Sequence, residues 1–183
     1  MSDELIVRQC APTLAGLKTG SIFNCPYRCR KSLFEGISKM NTRLSEKGLR
    51  FIPLRISESQ ALIYIYRPER LKKDLCCEEA ADILKRLGYT CPDMHKCLSR
   101  LRDRLKGSSD FPHEIGLFLG YPPEDVKGFI ENRASGHKLS GYWKVYGDTK
   151  RALKTFALYK KCTRVYVDRC ACGTSVERLA VAC

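Results

Sequence analysis

The chain is 183 residues long, 44% hydrophobic and 29% charged, a globular balance at the size of one ordinary domain, long enough to bury a core without covalent staples. No stretch approaches the roughly 18 apolar residues that cross a bilayer, and Met1-Ser-Asp-Glu-Leu-Ile-Val-Arg8 lacks the basic start and apolar run of a secretory leader, so neither membrane insertion nor export is expected and a cytoplasmic protein is. Lysine and arginine outnumber the acids 33 to 20, a formal charge of +13, which favours anionic partners, from a small anionic ligand to a polyanion such as RNA, without choosing among them.

Eleven cysteines, an odd total that includes the adjacent pair Cys76-Cys77, fit a disulfide framework poorly and read as free thiols of a reducing compartment. Repeats, low-complexity tracts and long Pro/Gly/Ser linkers are missing from the sequence. The expectation is therefore a single domain over residues 1–183, with a core at about 8–165 and a flexible tail at 166–183. The pattern of elements predicts an α+β fold, mostly helical, with a small antiparallel hairpin or sheet packed against the helices.

In chain order, Cys10 to Cys29 is punctuated by Pro12, Gly16, Gly20 and Pro26 and reads as loop with one short helical turn. Ser32 to Leu44 places Leu33, Phe34, Ile37, Met40 and Leu44 on one helical face, and Gly48 supplies a stop. Leu49–Ile56 and Gln60–Arg67 are rich in Ile, Leu, Tyr and Phe and flank Ser57-Glu-Ser59, a hairpin pattern. Pro68 opens a helix, and Glu78–Leu87 predicts another before Gly88.

From Thr90-Cys-Pro-Asp93, a basic amphipathic helix carries Met94, Leu98, Leu101 and Leu105 on one stripe and ends near Gly107. Asp110-Phe-Pro-His-Glu114 and Pro122-Pro-Glu-Asp125 read as helix starts on either side of Gly120. Gly141 to Gly147 is a third strand or a tight turn. Asp148 caps a last long helix with Leu153, Phe156, Ala157 and Tyr159 inward and Lys150, Arg151, Lys154 and Lys161 outward.

Three stretches together, Cys10-Ala-Pro-Thr-Leu-Ala-Gly-Leu-Lys18, Phe111-Pro-His-Glu-Ile-Gly-Leu-Phe-Leu-Gly-Tyr-Pro-Pro-Glu-Asp-Val126 and Gly141-Tyr-Trp-Lys-Val-Tyr-Gly-Asp148, resemble a bacterial family filed as domain of unknown function 3793. The resemblance spans roughly residues 8–162 and leaves the cysteine-bearing tail outside. It implies a small cytosolic protein of mostly anaerobic bacteria and brings no activity, substrate or cofactor with it.

The polar residues inside these stretches are the candidate site. His113 and Glu114 at a helix start suggest a neutral imidazole usable as base or ligand beside a carboxylate that orients a substrate or a metal-bound water. The competing reading is a capping histidine with a dipole-friendly glutamate, and Leu117 stands where a zinc-protease helix needs its second histidine. Cys10, Lys18 and Lys144 complete a candidate catalytic set; Thr13, Trp143 and Tyr146 are candidate ligand contacts, with Lys144 beside aromatic faces suited to a flat anion. Trp143 as a plain core anchor is the alternative.

Candidate metal ligands are Cys25 and Cys29, flanked by Arg28 and Arg30, and Cys91 with His95, soft and borderline donors that suit iron, zinc or haem. Ser32 occupies the position where an iron–sulfur run would need a third cysteine, and a helix from Pro92 would turn Cys97 away from Cys91 and His95. Cys170, Cys172 and Cys183 form a further terminal cluster. Phosphate-binding and dinucleotide-binding glycine loops and a nucleophile elbow are missing from the sequence. Two functional classes follow: an enzyme or cofactor- or metal-handling protein whose pocket the three stretches build together, or a basic module that binds polyanions or regulates a protein partner.

Overall fold

The computed structural model describes residues 1–91, 93–107 and 111–182. Among them are nine α-helices, a three-stranded antiparallel sheet and a two-stranded ribbon, so the fold is α+β. The chain divides into two compact units, Met1–Glu69 with Tyr159–Cys183, and Arg70–Leu158. No helix among the described residues is long and apolar enough to cross a membrane.

In the first unit, α1 (Asp3–Leu14) starts on Ser2, whose hydroxyl accepts from Leu5 N at 3.3 Å, and carries Asp3 and Glu4 in its first turn, where the helix dipole favours negative charge. It buries Ile6, Val7, Cys10 and Leu14. β1 (Gly20–Pro26) follows, then α2 (Arg30–Leu44), a 3-10 turn at Ser45–Lys47, β2 (Arg50–Ile56) and β3 (Gln60–Tyr66). Gly48, at φ 68°, ends the helical stretch in the left-handed region that glycine adopts without a Cβ clash.

The hairpin and α2 lie where the sequence places them. The loop expected between Cys10 and Cys29 is instead the end of α1 and a complete strand. Pro12 misleads because it sits in the last turn of α1, while its carbonyl accepts from Leu17 N and Lys18 N. The sheet order is β1-β3-β2, all antiparallel. β3 is therefore central, and Ala61 through Tyr66 are all buried, which accounts for their unbroken apolar run. Pro53 falls on the edge strand β2, next to a register shift between Pro53 and Arg55, where a missing N–H is tolerated.

Arg67, immediately after β3, is 2% exposed. Its Nε donates to Thr13 O at 2.8 Å, Nη2 to Leu14 O and Val181 O at 2.8 Å each, and Nη1 to Lys47 O at 3.0 Å. Two of these acceptors close α1, whose carbonyl end attracts a cation. The tail takes part: α9 (Val176–Leu179) buries Val176 and Leu179, with Ala180, in the same core as Ile6 and Phe51, and Val181 N donates to Leu14 O. In the stretch expected from the sequence to be a flexible tail, these apolar residues cover the core.

A second clamp holds the tail from outside. Arg43 reaches Asp3 through two parallel bonds of 2.9 Å and pairs with Glu177, while Val176 N donates to Asp3 at 3.2 Å. Hydrogen bonding from Arg43 holds the Asp3 carboxyl below its ordinary range and that of Glu177 down to about 2.

The second unit begins with α3 (Pro68–Cys76), α4 (Glu78–Arg86) and α5 (Met94–Gly107), followed by α6 (Ile115–Phe118), α7 (Pro123–Asn132), and the ribbon β4 (Leu139–Ser140) and β5 (Lys144–Val145). In α5 the stripe Leu98, Leu101 and Leu105 is buried as its spacing predicts. α8 (Thr149–Ala171) starts on Asp148, whose carboxylate accepts from Lys150 N and Arg151 N, and its portion up to Leu158 belongs to this unit. Its phase differs from expectation: Ala152 and Tyr159 are buried and Phe156 half-buried, whereas Ala157 is exposed and Leu153 is 54% exposed. Two apolar stripes one residue apart compete on this helix, and packing selects the one through Ala152.

Two outcomes follow for the first unit. Arg67→Met leaves the carbonyls of Thr13, Leu14, Lys47 and Val181 without their shared donor and is expected to cost about 3 kcal/mol in urea unfolding; a change under about 1 kcal/mol would show that the buried guanidinium is dispensable. Asp3 and Glu177 bind protons less readily folded than unfolded, so their contribution is complete above the ordinary glutamate value of 4.5 and is lost as pH falls towards about 2. Glu177→Gln is expected to flatten the acid side of the stability–pH curve across that window, read from urea midpoints.

Candidate functional site

In the second unit, the end of α7 and the β4–β5 ribbon are held together by one carboxylate. Asp125 is buried in the first turn of α7; Oδ1 accepts from Tyr146 N at 2.7 Å and Gly147 N at 2.8 Å, and Oδ2 accepts from the Trp143 indole N–H at 2.7 Å. Gly128 permits the close approach, since a Cβ there would lie 2.4 Å from the Tyr146 ring. Trp143 stacks on Tyr121, centroids 4.8 Å apart and planes at 28°, and meets the edge of Phe156 at 4.6 Å.

The resulting cleft encloses about 230 Å³ and is lined by Phe111, His113, Tyr121, Phe129, Trp143 and Lys144 among others. The second and third sequence stretches thus share one cavity. His113 lies edge-on to Phe129 at 4.8 Å, and its Nε2 faces Arg133 Nη1 at 2.7 Å. A guanidinium only donates, so Nε2 accepts and the ring proton sits on Nδ1. Lys144 Nζ donates to Ser140 Oγ at 3.0 Å and lies 3.4 Å from His137 Nε2, while His137 Nδ1 donates to Ala134 O. Arg133 ends α7 at φ 56°, ψ −129°, a costly backbone for a residue with a Cβ, and its carbonyl accepts from the Tyr146 hydroxyl. Tyr146 therefore shapes the cleft from behind.

Glu114 points elsewhere. At 2% exposure, its carboxylate accepts from the Tyr89 hydroxyl at 2.7 Å and pairs with Arg104 Nε at 2.5 Å, fastening α5 to the α6 turn. The helix expected from Asp110 is only the short α6, so the dipole argument for His113 falls away; Asp110 itself lies outside the described residues.

The first stretch lies in the first unit, and its polar groups are sealed in. Cys10 is fully buried, and burial drives its thiol far above the usual range. Thr13 Oγ1 and Ser21 Oγ share a hydrogen bond of 2.9 Å that ties α1 to β1. Lys18 is 8% exposed, and desolvation holds its ammonium down to about 8, opposed by the nearby Cys10.

Among the candidate metal ligands, Cys25 is buried with its thiol pushed up, whereas Cys29 is exposed, caps α2 by accepting from Ser32 N at 3.5 Å, and is lowered by that bonding. His95 is exposed on α5, and Cys91 lies instead against Cys97, Sγ to Sγ 3.6 Å; the expectation that Cys97 turns away is corrected. Of the terminal cluster, Cys170 is half-buried and Cys172 exposed, and Cys183 is outside the described residues. No three His, Cys, Asp or Glu side chains converge as a metal cage among the described residues.

Asp125, Tyr121, Phe129 and Arg133 escape the sequence reading. Asp125 and Glu124 are indistinguishable there as dipole-friendly acids of a first turn, and only the ribbon folding back against α7 separates them. Asp125→Ala strips an acceptor from two backbone amides and the indole and is expected to cost about 3 kcal/mol, with the lone tryptophan's emission moving to longer wavelength. An unmoved emission maximum would mean that Asp125 does not hold the indole.

No curated protein and no solved structure matches the chain. A family model described as Protein of unknown function (DUF3793) matches residues 6–180, a span that takes in α1 and the packed tail as well as both stretches of the cleft. The chain belongs to that family.

Proposed function

We propose that the second unit is a binding module for a small anionic molecule with a flat apolar body, and that the protein carries it in a reducing cytoplasm. What supports the reading is the division of labour in the cleft. Its walls are the aromatic side chains of Phe111, Tyr121, Phe129 and Trp143, while the charged groups beside it are the cations Lys144 and Arg133, and its one lining carboxylate, Asp125, is engaged by two amides and the indole. Aromatic walls take a ring, and an ammonium takes a carboxylate, sulfonate or phosphate.

In this reading His113 and Lys144 bind the ligand, with His113 oriented by Arg133. Glu114 keeps α5 and α6 together, and Cys10, Thr13 and Lys18 belong to the core of the first unit, so the pocket rests on two stretches rather than three. A localised cleft favours a small ligand over RNA, because the overall charge of +13 gives no polyanion a defined track.

Calorimetric titration with 2-naphthoate, 2-naphthyl phosphate and the neutral 2-naphthol tests it. The anions are expected to bind at least about tenfold more tightly than the alcohol, and Lys144→Ala to remove that advantage, a difference of about 1.4 kcal/mol. Equal binding of all three, or anion binding unchanged in Lys144→Ala, would overturn the reading.

A further inference from the structure

The sulfurs of Cys91 and Cys97 lie in contact, 3.6 Å apart. Cys91 lies just before α5 and is partly open to solvent; Cys97, in the first turn of the helix, is buried, with its Sγ 3.7 Å from Thr90 O. One accessible thiol in contact with one sheltered thiol is the arrangement that separates a thiol that exchanges from one that resolves. Two other neighbouring pairs are arranged differently: Cys76 and Cys77 are both exposed and adjacent in sequence, and Cys25 and Cys29 differ in burial, with Cys29 bonded to Ser32.

We infer that Cys91 and Cys97 form a two-electron dithiol site that closes into an intramolecular disulfide at the expense of a low-molecular-weight disulfide such as oxidised glutathione. The Cys91 thiolate attacks one sulfur of the small disulfide, forms a mixed disulfide and expels the first small thiolate. The Cys97 thiolate then attacks Cys91 Sγ and expels the second. The protein loses two electrons and two protons, and the small disulfide gains them as two thiols, so nothing further is consumed.

Full-length protein is incubated with oxidised glutathione, blocked with N-ethylmaleimide at low pH, and digested with trypsin without reduction. Because Lys96 separates the two cysteines, closure joins the peptides 87–96 and 97–100 through a disulfide that dithiothreitol reverses. Cys97→Ser is expected to stop at glutathione on Cys91, and Cys91→Ser to leave Cys97 unmodified. The wild-type peptide map decides the matter even if a variant folds poorly. Cys91 linked to Cys76 or Cys77, or both residues recovered as maleimide adducts, would each overturn the inference.

Discussion

A guanidinium buried among backbone carbonyls organises the first unit. Desolvating a cation is expensive, and Arg67 is tolerated at the end of the central strand because four carbonyl oxygens are aimed at it. Those carbonyls come from places far apart in the chain: the end of α1, the 3-10 turn after α2, and the last residues of the tail. A single side chain thus fixes where α1 stops, where the chain turns into β2 and where the terminus docks. The Arg43 clamp with Asp3 and Glu177 repeats the connection at the other end of α1, so the first helix and the last are tied at both ends.

The second unit uses the opposite charge for a similar task. Asp125 gathers two amides and an indole N–H, and this lets a ribbon of only two residue pairs hold a defined position against α7. Short ribbons are marginal alone. With the Tyr146 and Gly147 amides and the Trp143 indole held by a buried carboxylate, Trp143 and Lys144 line the cleft while Tyr146 supports the strained turn at Arg133.

Local pattern carried much of the architecture. The face of α2, the Leu98, Leu101 and Leu105 stripe of α5, the β2–β3 hairpin and the Asp148 cap are each set within a few residues by spacing and capping chemistry, and all are present. Gly20-Ser-Ile-Phe-Asn-Cys-Pro26 has little β character by itself and becomes a strand, β1, by pairing with β3. α8 carries two neighbouring apolar stripes, and the choice between them lies with the surfaces it covers.

The sequence by itself determined the α+β class, most helix limits, the hairpin, the membership of the family and the two stretches that line the cleft, since each depends on periodicity, caps or contiguous residues. Tertiary structure alone decided that Glu114 turns from the cleft towards Arg104, that Cys10 and Lys18 are sealed in a core, that Cys91 meets Cys97, and that the tail is packed. All of these are matters of burial and partnership between residues distant in the chain. A side chain's charge and reactivity depend on what surrounds it, and those surroundings exist only once the chain has folded.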